Sequence, residues 1–89
     1  MEKWRIIFSK RAVKDWKRIL ESEYHDKVMG LLVLLETDPF TSPPPFKQLR
    51  GDLEGAYSRR INHQHRLIYL LDKEQRMVKI VMMWLHYEK

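Results

Sequence analysis

Between Ala56 and Leu71 the chain reads AYSRRINHQHRLIYLL, with Arg59, Arg60 and Arg66 set into alternating apolar residues. Arginine and histidine are costly to bury and add little to sheet packing, so they need a solvated face or an anionic partner. His86 and Tyr87 near the end of the chain add a group that changes charge near neutrality and an aromatic that donates or stacks. Together these residue types suit cleavage of RNA, which carries its own nucleophile, the 2′-OH beside the scissile phosphate. A protein then has to align that hydroxyl, remove its proton, steady the phosphorane and protonate the departing 5′-oxygen. That chemistry calls for no metal and no cofactor.

Eighty-nine residues make a single domain, here residues 1–89. The sequence has no cysteine, which excludes disulfides and thiolate zinc sites. The amino-terminal stretch MEKWRIIFSK lacks the apolar core of a signal peptide, and the longest apolar run, Leu31–Leu35, is far shorter than the roughly 20 residues that cross a bilayer. A cytoplasmic protein is expected. Seventeen Lys and Arg against twelve Asp and Glu give a net charge of +5, a field that attracts polyanions, nucleic acid first among them. Bases outnumber acids most clearly between Lys47 and Arg66.

The elements that must position these residues are readable in outline. Trp4–Phe8 reads as a strand. Ser9 then offers a helix N-cap, and Ala12, Val13, Trp16, Ile19 and Leu20 recur with helical spacing. A second helix is expected from Asp26 to Glu36, ended by Pro39, with Gly30 inside it accounted for by close packing on the first helix. Pro39–Phe46 holds all four prolines and reads as a stiff polyproline-like crossover, and Arg50–Gly55 as a turn. Strands at Ala56–Asn62, His65–Leu71 and Met77–Tyr87 follow, joined by short polar links. The predicted fold is α+β, two helices on one face of a twisted antiparallel sheet in the order β-α-α-β-β-β.

Strand alternation puts Ser58, Arg60 and Asn62 on one face and Tyr57, Arg59 and Ile61 on the other. Arg66, Ile68 and Leu70 share a face, as do Ile80, Met82, Trp84 and His86. The helices cover one face only. On the other, Arg60, Arg66 and His86 are expected to converge beside a half-open groove, with Arg50 entering from the preceding loop.

The residues also carry a resemblance. LEGAYSRRINHQHRLIY, the terminal HYE, the FS before the first helix, and DPF and GDL further on resemble the Txe/YoeB branch of the RelE/ParE toxin superfamily over nearly the whole chain. The resemblance implies the toxin of a type II toxin–antitoxin pair, a metal-independent endoribonuclease that cleaves messenger RNA in the ribosomal A site. It implies a Phd/YefM-type antitoxin as partner, which wraps the toxin and supplies operator-DNA binding. By position, Arg66 matches the family's phosphate-binding catalytic arginine, His86 its general acid and Tyr87 the tyrosine that orients or stacks on substrate. Arg60 matches a supporting arginine, and Arg50 stands where a lysine is usual. Arg59 is grouped with these as a phosphate ligand, its role left open between RNA and a plain strand face.

One position departs from the pattern. PPPFKQLRGDL puts Lys47 where the family has its favoured general base, a glutamate. A protonated lysine has no lone pair, so it takes the 2′-OH proton only if burial or neighbouring arginines pull its pKa well below about 10.4. Two readings follow: an attenuated ribonuclease, and a homologue that binds antitoxin, ribosome and RNA without chemistry. A stand-alone DNA-binding module is disfavoured, since no helix reads as a recognition helix. His63 and His65 read as hairpin residues, Trp4 and Trp16 as core, and Met82, Met83 and Trp84 as core or a homodimer contact.

Overall fold

The chain opens with strand β1 (Arg5–Phe8) in a computed structural model that describes residues 3–84. Helices α1 (Lys10–Leu20) and α2 (His25–Thr37) follow, then β2 (Phe46–Gln48), a 3-10 turn at Gly51–Leu53, and β3 (Tyr57–Arg60), β4 (Arg66–Asp72) and β5 (Met77–Met82). The strands form one sheet in the order β1-β5-β4-β3-β2. The α+β class and the two-helix layer agree with the expectation, with two corrections. The sheet is mixed, because β1 lies parallel to β5, and it gains a fifth strand, because Phe46–Gln48 pairs with β3. Parallel pairing needs a long connection, which the two helices and the rest of the sheet supply here.

Ser9 caps α1 as its position suggests. Its Oγ accepts from the Ala12 N–H at 3.0 Å, and its hydroxyl donates to the Val81 carbonyl at 2.7 Å. The helix start is thereby tied to β5. Ala12 and Ile19 are buried as expected, whereas Val13 and Leu20 are about half exposed. The third buried residue of α1 is Asp15, a carboxylate on an apolar face. It accepts from the Met83 and Trp84 N–H groups at 3.0 and 3.2 Å and pairs with Arg11 at 3.4 Å, so α1 fixes the chain as it leaves β5.

Val28, Leu31 and Leu35 form the buried side of α2 and meet Trp4, Leu67, Tyr69, Val78, Ile80 and Met83 in the core. Gly30 does not pack closely. A Cβ built there meets nothing within 4 Å, so contact with α1 does not account for the glycine. Pro39–Phe46 does not run as an extended polyproline course either, because its carbonyls at Pro39, Thr41 and Pro44 all turn onto one guanidinium, that of Arg59.

The alternation read for β5 is broken by a bulge. Ile68 pairs with Met82 and Tyr69 with Ile80, leaving Val81 as the extra residue. Ile80 and Met83 are therefore both buried in the core, and Ile80 does not share the open face with Met82. The strand ends at Met82, and residues 85–89 lie outside those described. Among the described residues no helix is long and apolar enough to cross a membrane.

Candidate functional site

The site grows out of the β3–β4 hairpin. Asn62 closes the turn, its Oδ1 accepting from the Gln64 and His65 N–H groups at 2.7 and 2.6 Å. The Ile61 N–H donates to the His65 carbonyl at 2.9 Å. This register sets Arg60 directly opposite Arg66, and it sets Ser58 between Lys47 of β2 and Ile68 of β4. Lys47, Ser58, Arg60 and Arg66 thus share the face that the helices leave open. Ser58 is fully buried, and its Oγ accepts from Arg66 Nε, which orients that guanidinium.

Arg60, Arg66 and Lys47 line one groove of about 290 Å³. A fourth cation, Lys27, reaches it from the first turn of α2, and Pro44, Pro45 and Ile61 give it an apolar wall. No carboxylate lines it among the described residues. Like charges facing each other across a strand pair destabilise a sheet, and a set of cations with no counterion among the described residues suits an anion from outside.

Three of the residues read from the sequence are brought together there, namely Arg60, Arg66 and Lys47. Arg50 is not. It lines a separate cleft of about 550 Å³ with Gln48, Leu49, Glu54 and Gly55. It lies three positions beyond Lys47, and an odd step along extended chain points to the opposite side. His86 and Tyr87 lie outside the described residues.

Arg59 corrects the phosphate-binding set. Its side chain is completely buried, and its donors are taken by the protein: Nε by the Tyr69 hydroxyl at 3.0 Å, Nη1 by the Pro44 carbonyl at 2.6 Å, and Nη2 by the carbonyls of Pro39 and Thr41 at 2.8 and 2.9 Å. The guanidinium also lies over the Phe46 ring, 4.7 Å from its centroid. Burial pushes the Tyr69 phenol above its usual range, against the opposing charge and hydrogen bond of Arg59. Arg59 therefore organises the proline segment that walls the groove rather than facing the groove itself.

His65 is buried and stacks on Trp84 at 4.0 Å between centroids, a packing role in the hairpin, while His63 is exposed. Lys27 was missed by sequence reading. The available signal was a cation in a helix's first turn, where the backbone dipole disfavours it.

Two helices on one side of a small twisted sheet, with a cationic groove on the strands, define a small RelE-type toxin. Residues 8–87 match the YoeB-like toxin of bacterial type II toxin-antitoxin system, and the chain belongs to that family. It is similar to the toxin YoeB of Streptomyces coelicolor, with 33% identity over 76 residues that cover 83% of this chain and 90% of that protein. Among solved structures it resembles a chain of the heterotetrameric YoeB–YefM complex of Staphylococcus aureus, with a TM-score of 0.77 and 31% identity, covering 94% of this chain and 98% of that one. The YoeB dimer of the same organism is similar to the same extent, with a TM-score of 0.78 and 32% identity over 94% of this chain and 98% of that one.

Proposed function

We propose that this type II toxin is a ribosome-dependent mRNA endoribonuclease that cleaves in the A site by 2′-OH attack, and that Lys47 attenuates it. The reading is carried by one observation, the grouping of Arg60, Arg66 and Lys47 on a single open groove with Arg66 oriented by Ser58. Arg66, its Nε held, turns the rest of its fork toward a bound phosphate and stabilises the charge that builds up on the phosphorane. Arg60 opposite it adds a second cation. His86 as general acid and Tyr87 as orienting or stacking group follow from the family resemblance.

The step without a clear agent is removal of the 2′-OH proton. The groove's described lining holds no carboxylate, and an ammonium at Lys47 donates hydrogen bonds but accepts no proton. A missing general base lowers a rate by about 10²–10⁴-fold. In a ribosome-primed cleavage assay, Lys47→Glu is expected to cleave about 100-fold faster than the unsubstituted chain or more. Arg66→Ala and His86→Ala are expected to reduce cleavage strongly, to a residual rate that is still measurable. Equal rates for the chain and Lys47→Glu overturn attenuation.

The absence of a carboxylate among the described lining also favours a second reading, a homologue that binds without cutting. Induced expression separates the two: growth arrest relieved by the antitoxin marks a ribonuclease, and harmless accumulation marks a binding protein. In either case the partners are a Phd/YefM-type antitoxin, the ribosome with its messenger RNA, and operator DNA through the antitoxin. A homodimer, as in the YoeB dimer of Staphylococcus aureus, is the expected free form.

A further inference from the structure

We propose that Lys27 is a phosphate-binding residue of the groove. With Lys47 it engages the phosphate next to the one held by Arg60 and Arg66, so that the site spans two consecutive phosphates of single-stranded RNA. The inference rests on the reading that the groove faces RNA, and it adds to that reading a contact from the helical layer.

Lys27 does nothing for its own helix. It is the third residue of α2, whose N-cap, Tyr24, makes no side-chain capping bond. The positive end of the helix dipole opposes a cation there. No ion pair to Lys27 is formed among the described residues, since the neighbouring Asp26 faces His25 at 3.4 Å. A residue that breaks a local rule without structural return marks a functional position, and Lys27 lies on the wall of the groove.

The groove is larger than a lone anion needs. A volume near 290 Å³ is roughly ten times the share of one water molecule in the liquid, room for a sugar–phosphate unit rather than a lone anion. Arg60 and Arg66 lie opposite each other on the sheet and line the same groove, whereas Lys47 enters from the outermost strand β2 and Lys27 from α2. The cations therefore approach the groove from separate elements, and Pro44, Pro45 and Ile61 offer an apolar surface to a sugar or base. In this chain, replacing a carboxylate by Lys47 turns the position from proton acceptor to phosphate ligand, which favours holding RNA over cutting it.

The test is fluorescence anisotropy of a labelled, 2′-O-methylated single-stranded RNA, which cannot be cleaved, titrated with the full chain at several KCl concentrations. Each phosphate that the protein ceases to neutralise lowers the slope of log K against log salt by about 0.7. Lys27→Gln and Lys47→Gln are each expected to show that reduction, with several-fold weaker binding and an unchanged melting temperature. Lys14→Gln, an equal charge change on exposed α1, is expected to leave the slope unaltered. An unaltered slope in Lys27→Gln, or an equal reduction in Lys14→Gln, overturns the inference. Arg66→Ala separates this outcome from a failure of the proposed function. Should it bind as the unsubstituted chain does, RNA does not occupy the groove and both readings fall. Should binding need Arg66 but not Lys27, only the present inference falls.

Discussion

Arg59 on β3 donates from Nε to the Tyr69 hydroxyl on β4 at 3.0 Å, joining a fully buried cation to a fully buried phenol. The same guanidinium gathers three carbonyls of the proline segment, so a single side chain sets the path of residues 39–46 and, through Pro44 and Pro45, one wall of the groove. Its partners are carbonyls, a hydroxyl and the Phe46 ring. The charge is thus stabilised by dipoles and an aromatic face.

Removing that hub leaves buried acceptors without donors. An unsatisfied buried polar group costs about 1–3 kcal/mol, and several are exposed to that fate at once. Arg59→Met is therefore expected to destabilise the protein by about 3 kcal/mol or more in urea unfolding. Arg59→Lys should recover only part of this, because one ammonium does not reproduce the fork that spans Pro39, Thr41 and Pro44. A loss below about 1 kcal/mol for Arg59→Met contradicts the organising role.

Tyr69 gives the pH counterpart. Burial raises its phenol above the usual value, and the nearby Arg59 only partly offsets this. The folded state then holds the phenolic proton more tightly than the unfolded chain does. Its contribution to stability is intact below the unfolded value of about 10 and is lost as pH rises through the higher folded value. Unfolding measured between about pH 8 and 11 should show wild type losing stability at the alkaline end relative to Tyr69→Phe, which has nothing to ionise. A constant difference between the two across that range refutes the assignment.

How much of this was readable in the sequence differs from element to element. Ser9 and the helical spacing of Ala12, Trp16 and Ile19 placed α1, and alternation through Tyr57–Arg60 and Arg66–Leu71 placed the hairpin with Arg60 facing Arg66. Strand β2 was missed because three residues behind a proline run show no period. The parallel pairing of β1 was hidden because alternation encodes a face and not a direction. The bulge at Val81 likewise leaves no mark on composition, yet it changes which of the last residues enter the core. Arg59 was the more instructive case. Its parity with Tyr57 and Ile61 already pointed inward, but a charge type that favours surfaces outweighed that signal. Lys27 belongs to a helix read only for its apolar side, so the groove's fourth cation went unseen.

Gly30 tests the other side of that helix. It sits in the interior of α2, and beyond its chain neighbours and the helix's own backbone no described atom lies within 4 Å of the Cβ that alanine would bring. Alanine loses less backbone entropy on folding, so Gly30→Ala should raise stability by about 0.5–1 kcal/mol with the site unaffected. Thermal melting should shift upward by a few degrees. A downward shift means that something packs at Gly30 in solution, and a partner or second copy on that face of α2 would then be sought.

Ser58 offers the most specific probe of the proposed chemistry, because it is not among the groove's lining residues and yet fixes the guanidinium to which the proposed function gives the phosphate. Its hydroxyl is buried between Lys47 and Ile68 in the sheet and accepts from Arg66 Nε. Ser58→Ala keeps the shape and removes only that acceptor, freeing the guanidinium to swing. One hydrogen bond of about 1–1.4 kcal/mol corresponds to about a fivefold to tenfold loss in the rate of ribosome-dependent cleavage. The loss should fall on the rate at saturating ribosome rather than on binding, since Arg66 still carries its charge into the groove. Combined with Arg66→Ala, the substitution should add nothing further, because its effect passes through that arginine. Additive losses in the double variant would show that Ser58 acts by another route, and the orienting role assigned to it would have to be withdrawn.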